Sequence, residues 1–356
     1  MMAAGLTEAA YAQRAKLSGV APPGTVWLNG NEFPEGPPQA SVDAMAQIIG
    51  NSNRYHYQEF PAFYAKLAAY EGLTADQILV GAGSSEPLHN AVDAFTSPSR
   101  PLIIPMPTYE AAPELTRYKG NPVIETPLNS KMAPDVHRLV AEAEKAGGGV
   151  IYIVNPNNPT STITTSDDMA WLMANLPKNT YVLVDEAYIH YATSPEISSA
   201  FQYVKEGKNV IVARTFSKVY GMAGLRVGYV AARPDLIAKM APYRNNVISI
   251  VSVRAVLAAL ELGPQLVQER KSKIVHTRTE LCEWMSHKNI KFIPPQANFV
   301  MIETGRDALE VQSAMLAKGV AIGRRFPPLT KMIRVTIGTD AEMEKFRRVF
   351  TEVVAA

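Results

Sequence analysis

The chain has 356 residues, 47% hydrophobic and 19% charged, the balance of an ordinary soluble globular protein and too long for one compact core of average size. Lys and Arg number 35 against 33 Asp and Glu, a net charge of +2 with no long basic run, which speaks against a nucleic-acid surface. The single cysteine, Cys282, excludes an internal disulfide and fits a reducing compartment, and no apolar stretch approaches the roughly 20 residues that span a membrane.

Residues 1–17 are alanine-rich and lack a basic stretch followed by an apolar one, so no signal peptide and a cytoplasmic location are expected. Pro-rich segments at 21–24 and 33–38 read as an irregular N-terminal arm, residues 1–38. From about Ile78 to Ala232, short β-rich runs alternate with helical stretches. The runs are 78–80, 102–104, 150–154, 181–184, 210–212 and 227–230. The spacing predicts crossover helices and an α/β domain with a largely parallel sheet, placed at residues 39–240. Gly81, Asn155, Asp185 and Ser217 sit at or just past the ends of such runs, the edge at which open α/β sheets bind ligands. After about Pro242 the pattern changes to a long helical region, 248–285, and three strand-like runs at 297–302, 319–322 and 332–337. A last helix opens with the capping box Thr339-Asp340-Ala341-Glu342 and carries Phe346, Val349, Phe350 and Val353 on one face. This is a smaller α+β domain, residues 241–356, expected to be completed by the N-terminal arm.

Five motifs carry chemistry. Gly81-Ala82-Gly83-Ser84-Ser85-Glu86-Pro87 ends a strand and opens a helix, presenting free N–H groups to an anion, although alone it equally describes a turn. Pro105-Met106-Pro107-Thr108-Tyr109 places a tyrosine where it lies flat on a ring or, equally, fills a core. Asn155-Pro156-Asn157-Asn158-Pro159-Thr160 is a stiff loop holding an amide in one direction, with a surface turn as the plainer reading. Val184-Asp185-Glu186-Ala187-Tyr188 ends an apolar strand in an acid that is costly to bury unpaired. A protonated pyridine nitrogen would justify it; a helix cap or a magnesium ligand are the other readings, the latter short of neighbouring carboxylates. Arg214-Thr215-Phe216-Ser217-Lys218 follows another apolar run and leads to Arg226. An amine beside hydroxyls and a guanidinium suits a Schiff base to pyridoxal phosphate. Far down the chain, Arg334 lies in a strand-like run and needs an anion, either a substrate carboxylate or a structural partner. The six histidines show no ligand spacing, and no metal site is expected.

Together these motifs resemble the fold-type-I pyridoxal-phosphate aminotransferases, and most of all the histidinol-phosphate aminotransferase family. The resemblance runs from Trp27-Leu28-Asn29-Gly30-Asn31-Glu32 through Asn53-Arg54-Tyr55 to Ala297-Asn298-Phe299 and residues 333–339. It implies a large domain with a mostly parallel seven-stranded sheet between helices, and a smaller α+β C-terminal domain. It implies that Lys218 carries the cofactor's aldehyde and shuttles the proton between Cα and C4′. Asp185 would pair with the pyridine nitrogen, Asn158 and Tyr188 hold the phenolic oxygen, and Tyr109 stack on the ring. Ser84, Ser85, Thr215, Ser217 and Arg226 would hold the phosphate, with Tyr55 reaching it from a partner subunit of a homodimer. Arg334 would bind the substrate carboxylate, with Asn298 close by, and Arg324 roughly matches the family's arginine for a substrate phosphate. Implied substrates are an amino donor, histidinol phosphate or an aromatic-type amino acid, and a 2-oxo acid such as 2-oxoglutarate. A decarboxylase or oxidase on the same fold is the alternative. Two departures stand out: His56 where a proline is usual, and Ser161 where a glycine is usual.

Overall fold

A computed structural model describes residues 21–354, so the expectations for 1–17 lie outside the described residues. The chain opens with β1 (Val26–Leu28), α1 (Gln39–Ile48) and α2 (Phe60–Glu71). The alternating region follows as β2 (Ile78–Ala82), α3 (Ser85–Phe95), β3 (Leu102–Met106), α4 (Ala111–Tyr118), β4 (Val123–Pro127), α5 (Val136–Lys145), β5 (Gly149–Val154), α6 (Ser166–Ala174), β6 (Thr180–Asp185), α7 (Phe201–Lys205), β7 (Val210–Thr215) and β8 (Val227–Ala232). These strands form a seven-stranded sheet in the order β2-β8-β7-β6-β5-β3-β4. Every neighbouring pair is parallel except those of β8, which is antiparallel to β2 and β7.

Both faces of this sheet are covered, which is why its central strands read as unbroken apolar runs. Alternate side chains serve two cores. Ile151, Ile153, Val182, Val184, Val210 and Val212 pack on one face. Val150, Tyr152, Val154, Leu183, Ile211 and Ala213 pack on the other. β4 escaped the sequence reading because it is an edge strand: Glu125 and Pro127 are exposed and break its apolar pattern. The reversed direction of β8 matters for function. Its first residue, Val227, lies opposite Ala82, and Gly228 opposite Thr215, so Arg226 joins the edge where β2 and β7 end.

The remainder comprises α8 (Pro234–Met240), α9 (Ile250–Glu261), α10 (Gly263–His287), β9 (Phe292–Ile293), β10 (Phe299–Glu303), α11 (Ala308–Ala317), β11 (Val320–Ile322), β12 (Met332–Thr336) and α12 (Asp340–Val354). β10 sits between β12 and β9 in an antiparallel sheet, and β1 from the arm pairs in parallel with β11. The helical region expected to be continuous is bent by 90° between α9 and α10. Gly263, at φ +69°, takes a left-handed conformation there, and Pro264 follows without an N–H to extend the preceding helix. α9 packs back on α1, where Ser41 Oγ donates to the Ala255 carbonyl at 2.7 Å. One apolar core therefore runs from the sheet face to Phe299, Phe346 and Phe350. Among the described residues no single helix is long and apolar enough to cross a membrane.

Candidate active site

The carboxyl edge of the sheet opens into a cavity of about 430 Å³, walled on its far side by residues 30–32 of the arm and by Arg324 and Arg334. At one end Ser84, Ser85, Thr215, Ser217 and Arg226 converge. β2 ends at Ala82, and Gly83, at φ +70°, turns the chain into α3. A Cβ on Gly83 would lie 2.3 Å from Arg226 Nη2, and one on Gly228 would lie 2.2 Å from the Ser84 nitrogen, so both glycines are required for this close approach. Ser84 makes no capping bond, which leaves its hydroxyl and the first N–H groups of α3 for an anion. Thr215 Oγ1 accepts from the Ser217 N–H at 3.1 Å and donates to Ser217 Oγ at 2.9 Å, locking the two hydroxyls together. Arg226 donates to the Ala223 carbonyl at 2.9 Å, and no carboxylate among the described residues pairs with it. A guanidinium, two hydroxyl pairs and a helix N-terminus form a cradle for a phosphate.

Asp185 ends β6 and is 2% exposed. Its Oδ1 accepts from the Ala187 N–H at 3.0 Å, and its Oδ2 accepts from the Tyr152 hydroxyl at 3.4 Å. Burial outweighs these bonds and lifts the carboxyl from 3.8 to about 6. Lys218 reaches the same cavity and donates to the Gly30 carbonyl at 3.2 Å, its Nζ lying 5.5 Å from the centre of the Tyr188 ring. Burial, with the Arg334 guanidinium nearby, brings its ammonium down from 10.5 to about 8. Tyr188 is held by Asn31, whose Nδ2 donates to the phenol oxygen at 3.1 Å and leaves the Tyr188 O–H free to donate elsewhere. Burial pushes that phenol up to about 12. Asn158 accepts from Arg334 Nη1 at 2.7 Å through Oδ1, which leaves its amide N–H₂ for an oxygen acceptor. Tyr109 lines the wall above these groups, its phenol raised by burial.

Arg334 projects from β12 into the cavity. Nη1 bonds Asn158, Nη2 donates to the Asn29 carbonyl at 2.7 Å, and Nε is buried without a partner. No carboxylate among the described residues pairs with it, and burial lowers its pKa from 12.5 to about 10. A guanidinium that lines a cavity without a carboxylate partner is suited to an anion from outside the chain. Arg324 also lines the cavity and forms an ion pair with Glu110.

Two expected residues stand elsewhere. Asn298 is wholly buried outside the cavity lining; its Nδ2 donates to the Asn31 and Glu32 carbonyls at 3.1 and 3.3 Å. It stands behind the arm segment that forms the wall and holds that segment's backbone in place, rather than in the lining itself. Tyr55 is 68% exposed, stacked on Tyr57 with ring centres 5.1 Å apart, and lies outside this cavity. The sequence reading missed the roles of Asn31, Glu32 and Glu110, all of which line the cavity. Asn31 holds a φ of +54°, fixed by bonds of its N–H and Oδ1 to the Thr336 hydroxyl at 2.9 and 3.1 Å.

These residues fit pyridoxal phosphate: an uncompensated buried acid, a partly neutralised amine, a free phenol and amide, and an anion cradle at the other end. The comparisons with known proteins agree. Residues 23–350 match the model of the aminotransferase class I and II family. The chain is 31% identical over 333 residues to an aromatic amino acid aminotransferase of Cutibacterium acnes, covering 92% of both chains. It is 32% identical over 323 residues to a histidinol-phosphate aminotransferase of Symbiobacterium thermophilum, covering 90% of this chain and 88% of that one. The structure superposes with a TM-score of 0.88 and 25% identity on histidinol-phosphate aminotransferase from Sinorhizobium meliloti in complex with pyridoxal 5'-phosphate, covering 97% and 94% of the two chains.

Proposed function

The chain belongs to the aminotransferase class I and II family and is a pyridoxal-phosphate-dependent aminotransferase, and we propose that its donor is an amino acid with a bulky or aromatic side chain, or a related amine such as histidinol phosphate. The acceptor in this reading is a 2-oxo acid such as 2-oxoglutarate. The observation that carries it is that Lys218 and Asp185 share one cavity with Arg334, a guanidinium without a carboxylate partner that suits a substrate anion.

Bound there, the cofactor supplies an aldehyde that receives an amine and a ring that accepts the electrons left when Cα loses its proton. The chain's own groups do the rest. Ser84, Ser85, Thr215, Ser217 and Arg226 are suited to grip the phosphate. The Asp185 carboxylate favours a proton on the ring nitrogen, and that cation in turn stabilises the buried carboxylate. Asn158 and Tyr188 offer an amide and a phenol to the ring oxygen, and Tyr109 offers a flat face. Lys218, its ammonium lowered to about 8, is partly neutral at physiological pH, so its Nζ can take the donor's Cα proton, hold it and return it. Arg334 turns a planar fork toward the donor's carboxylate and fixes which bond at Cα is exposed to Lys218.

A decarboxylase or oxidase is not favoured, since the relatives named above are aminotransferases. We also propose a homodimer in which Tyr55 serves the partner's site; its exposure and its absence from the lining of its own cavity support this. A cytoplasmic location is proposed with it. The test is a screen of amino donors against 2-oxoglutarate: formation of keto acid and glutamate without carbon dioxide release or oxygen uptake supports transamination, and release of carbon dioxide instead would overturn it.

A further inference from the structure

The cavity is lined by four cations, Lys218, Arg226, Arg324 and Arg334, and three carboxylates, Glu32, Glu110 and Asp185. Lys218 and Asp185 belong with the cofactor ring, and Arg226 with its phosphate. What remains for the substrate's anion is Arg334 and Arg324, with Glu110 against them, while Glu32 acts on Lys218. Both arginines line the cavity, and their guanidinium carbons lie 4.2 and 4.7 Å from the centre of the same Phe326 ring, which puts them at the same end of it. They differ in one respect. Arg334 has no carboxylate partner and an unpartnered Nε, whereas Arg324 is already paired with Glu110, the residue between Tyr109 and α4, and donates to its neighbour's carbonyl, that of Arg325, at 3.1 Å.

A carboxylate is a monoanion and is matched in charge by Arg334 alone, whose guanidinium has no competing carboxylate and whose Nη atoms each keep one further N–H. A phosphate monoester is mostly dianionic at neutral pH and needs both guanidinia. To recruit Arg324 it must break the pair with Glu110 and then lie beside that uncompensated carboxylate. We propose that Glu110 is a specificity-determining residue: by occupying Arg324 it holds the anion subsite to one free positive charge and selects amino donors that bear a carboxylate over those that bear a phosphate monoester. This rests on the aminotransferase reading of the cavity and narrows its donor. Selection by a repulsive element built against the wrong ligand is a general route to discrimination.

The test is the donor half-reaction of the cofactor-loaded protein, followed by cofactor absorbance, with phenylalanine and with histidinol phosphate. The native protein should prefer phenylalanine. Glu110→Gln should raise the ratio of kcat/KM for histidinol phosphate over phenylalanine about tenfold, with Glu110→Ala doing the same, and Arg324→Gln added to either should remove the gain. A native preference for histidinol phosphate, or a ratio that both Glu110 variants leave within about twofold, would overturn the proposal. Cofactor absorbance that neither donor changes, in the native protein and the variants alike, would overturn the aminotransferase reading and the inference with it.

Discussion

Asp185→Asn should make the cofactor-free protein more stable while disabling it. The carboxyl is 2% exposed, and burial moves it from 3.8 to about 6. Such a rise means that the native state binds a proton more tightly than the unfolded chain, so the charged form is penalised and native stability falls as pH rises from about 4 to 6. Above that window the whole penalty is present, about 3 kcal/mol; near pH 4 only about 0.5 kcal/mol remains. The amide keeps the oxygen that accepts from the Ala187 N–H at 3.0 Å and discards the charge; it can no longer accept the long 3.4 Å bond from Tyr152, but that hydroxyl can turn to accept from the new N–H₂. Urea unfolding of cofactor-free protein should therefore show the variant about 3 kcal/mol more stable at pH 7.5 and nearly equal to the native chain at pH 4. Loading the cofactor should abolish or reverse the advantage, because the ring cation compensates only the acid. Turnover should fall at least about 100-fold, the scale of removing a fixed charge aimed at charge that develops in reaction. A variant no more stable than the native chain at pH 7.5, or a gain that does not change with pH, would refute the reasoning.

Arg334→Lys replaces a planar fork with a point charge and loses the bonds to Asn158 Oδ1 and the Asn29 carbonyl. Its kcat/KM with phenylalanine should drop about 100-fold, roughly 3 kcal/mol, and a drop below about threefold would contradict the carboxylate role. Ser161 is fully buried at φ +63°, and its Oγ accepts from the N–H groups of Ala297 at 2.8 Å and Gln296 at 3.1 Å. Ser161→Ala should cost about 1–3 kcal/mol in urea unfolding by orphaning the Ala297 N–H. Ser161→Gly loses the same bond but relieves about 1 kcal/mol of left-handed backbone cost, so it should be the milder of the two; the opposite ranking would contradict this account.

The strands and the groups at their ends were legible in the sequence for a local reason. A strand covered on both faces is an apolar run, and a polar residue that ends it sits at the sheet edge, as Asp185 and Thr215 do. Lys218 and Arg226 followed because each lies within a few residues of such a run. What was hidden depended on pairing across the chain. Asn31 acquires its role from Tyr188 and Thr336, 157 and 305 residues away. Glu110 reads locally as the start of a helix, and only Arg324 makes it part of the anion subsite. Asn298 is placed near the substrate only by the family resemblance, and its amide is seen to bond the arm's backbone, 266 and 267 residues away. The bend at Gly263-Pro264 carried a turn signal, which the apolar pattern on either side masked. The two departures from the family pattern have a backbone basis. His56 holds φ +56°, which a proline ring cannot adopt, and its imidazole is tied to Glu59 and to the Asn51 carbonyl, both at 3.0 Å. Ser161 keeps the left-handed turn of a glycine and adds a hydroxyl that binds two amides.

The amine of Lys218 stands at the centre of the account. Protein saturated with pyridoxal phosphate, reduced with borohydride and digested, should yield one modified peptide, carrying the cofactor on Lys218. Cofactor fixed to any other lysine, or a chain that binds it and takes no label, would contradict the assignment.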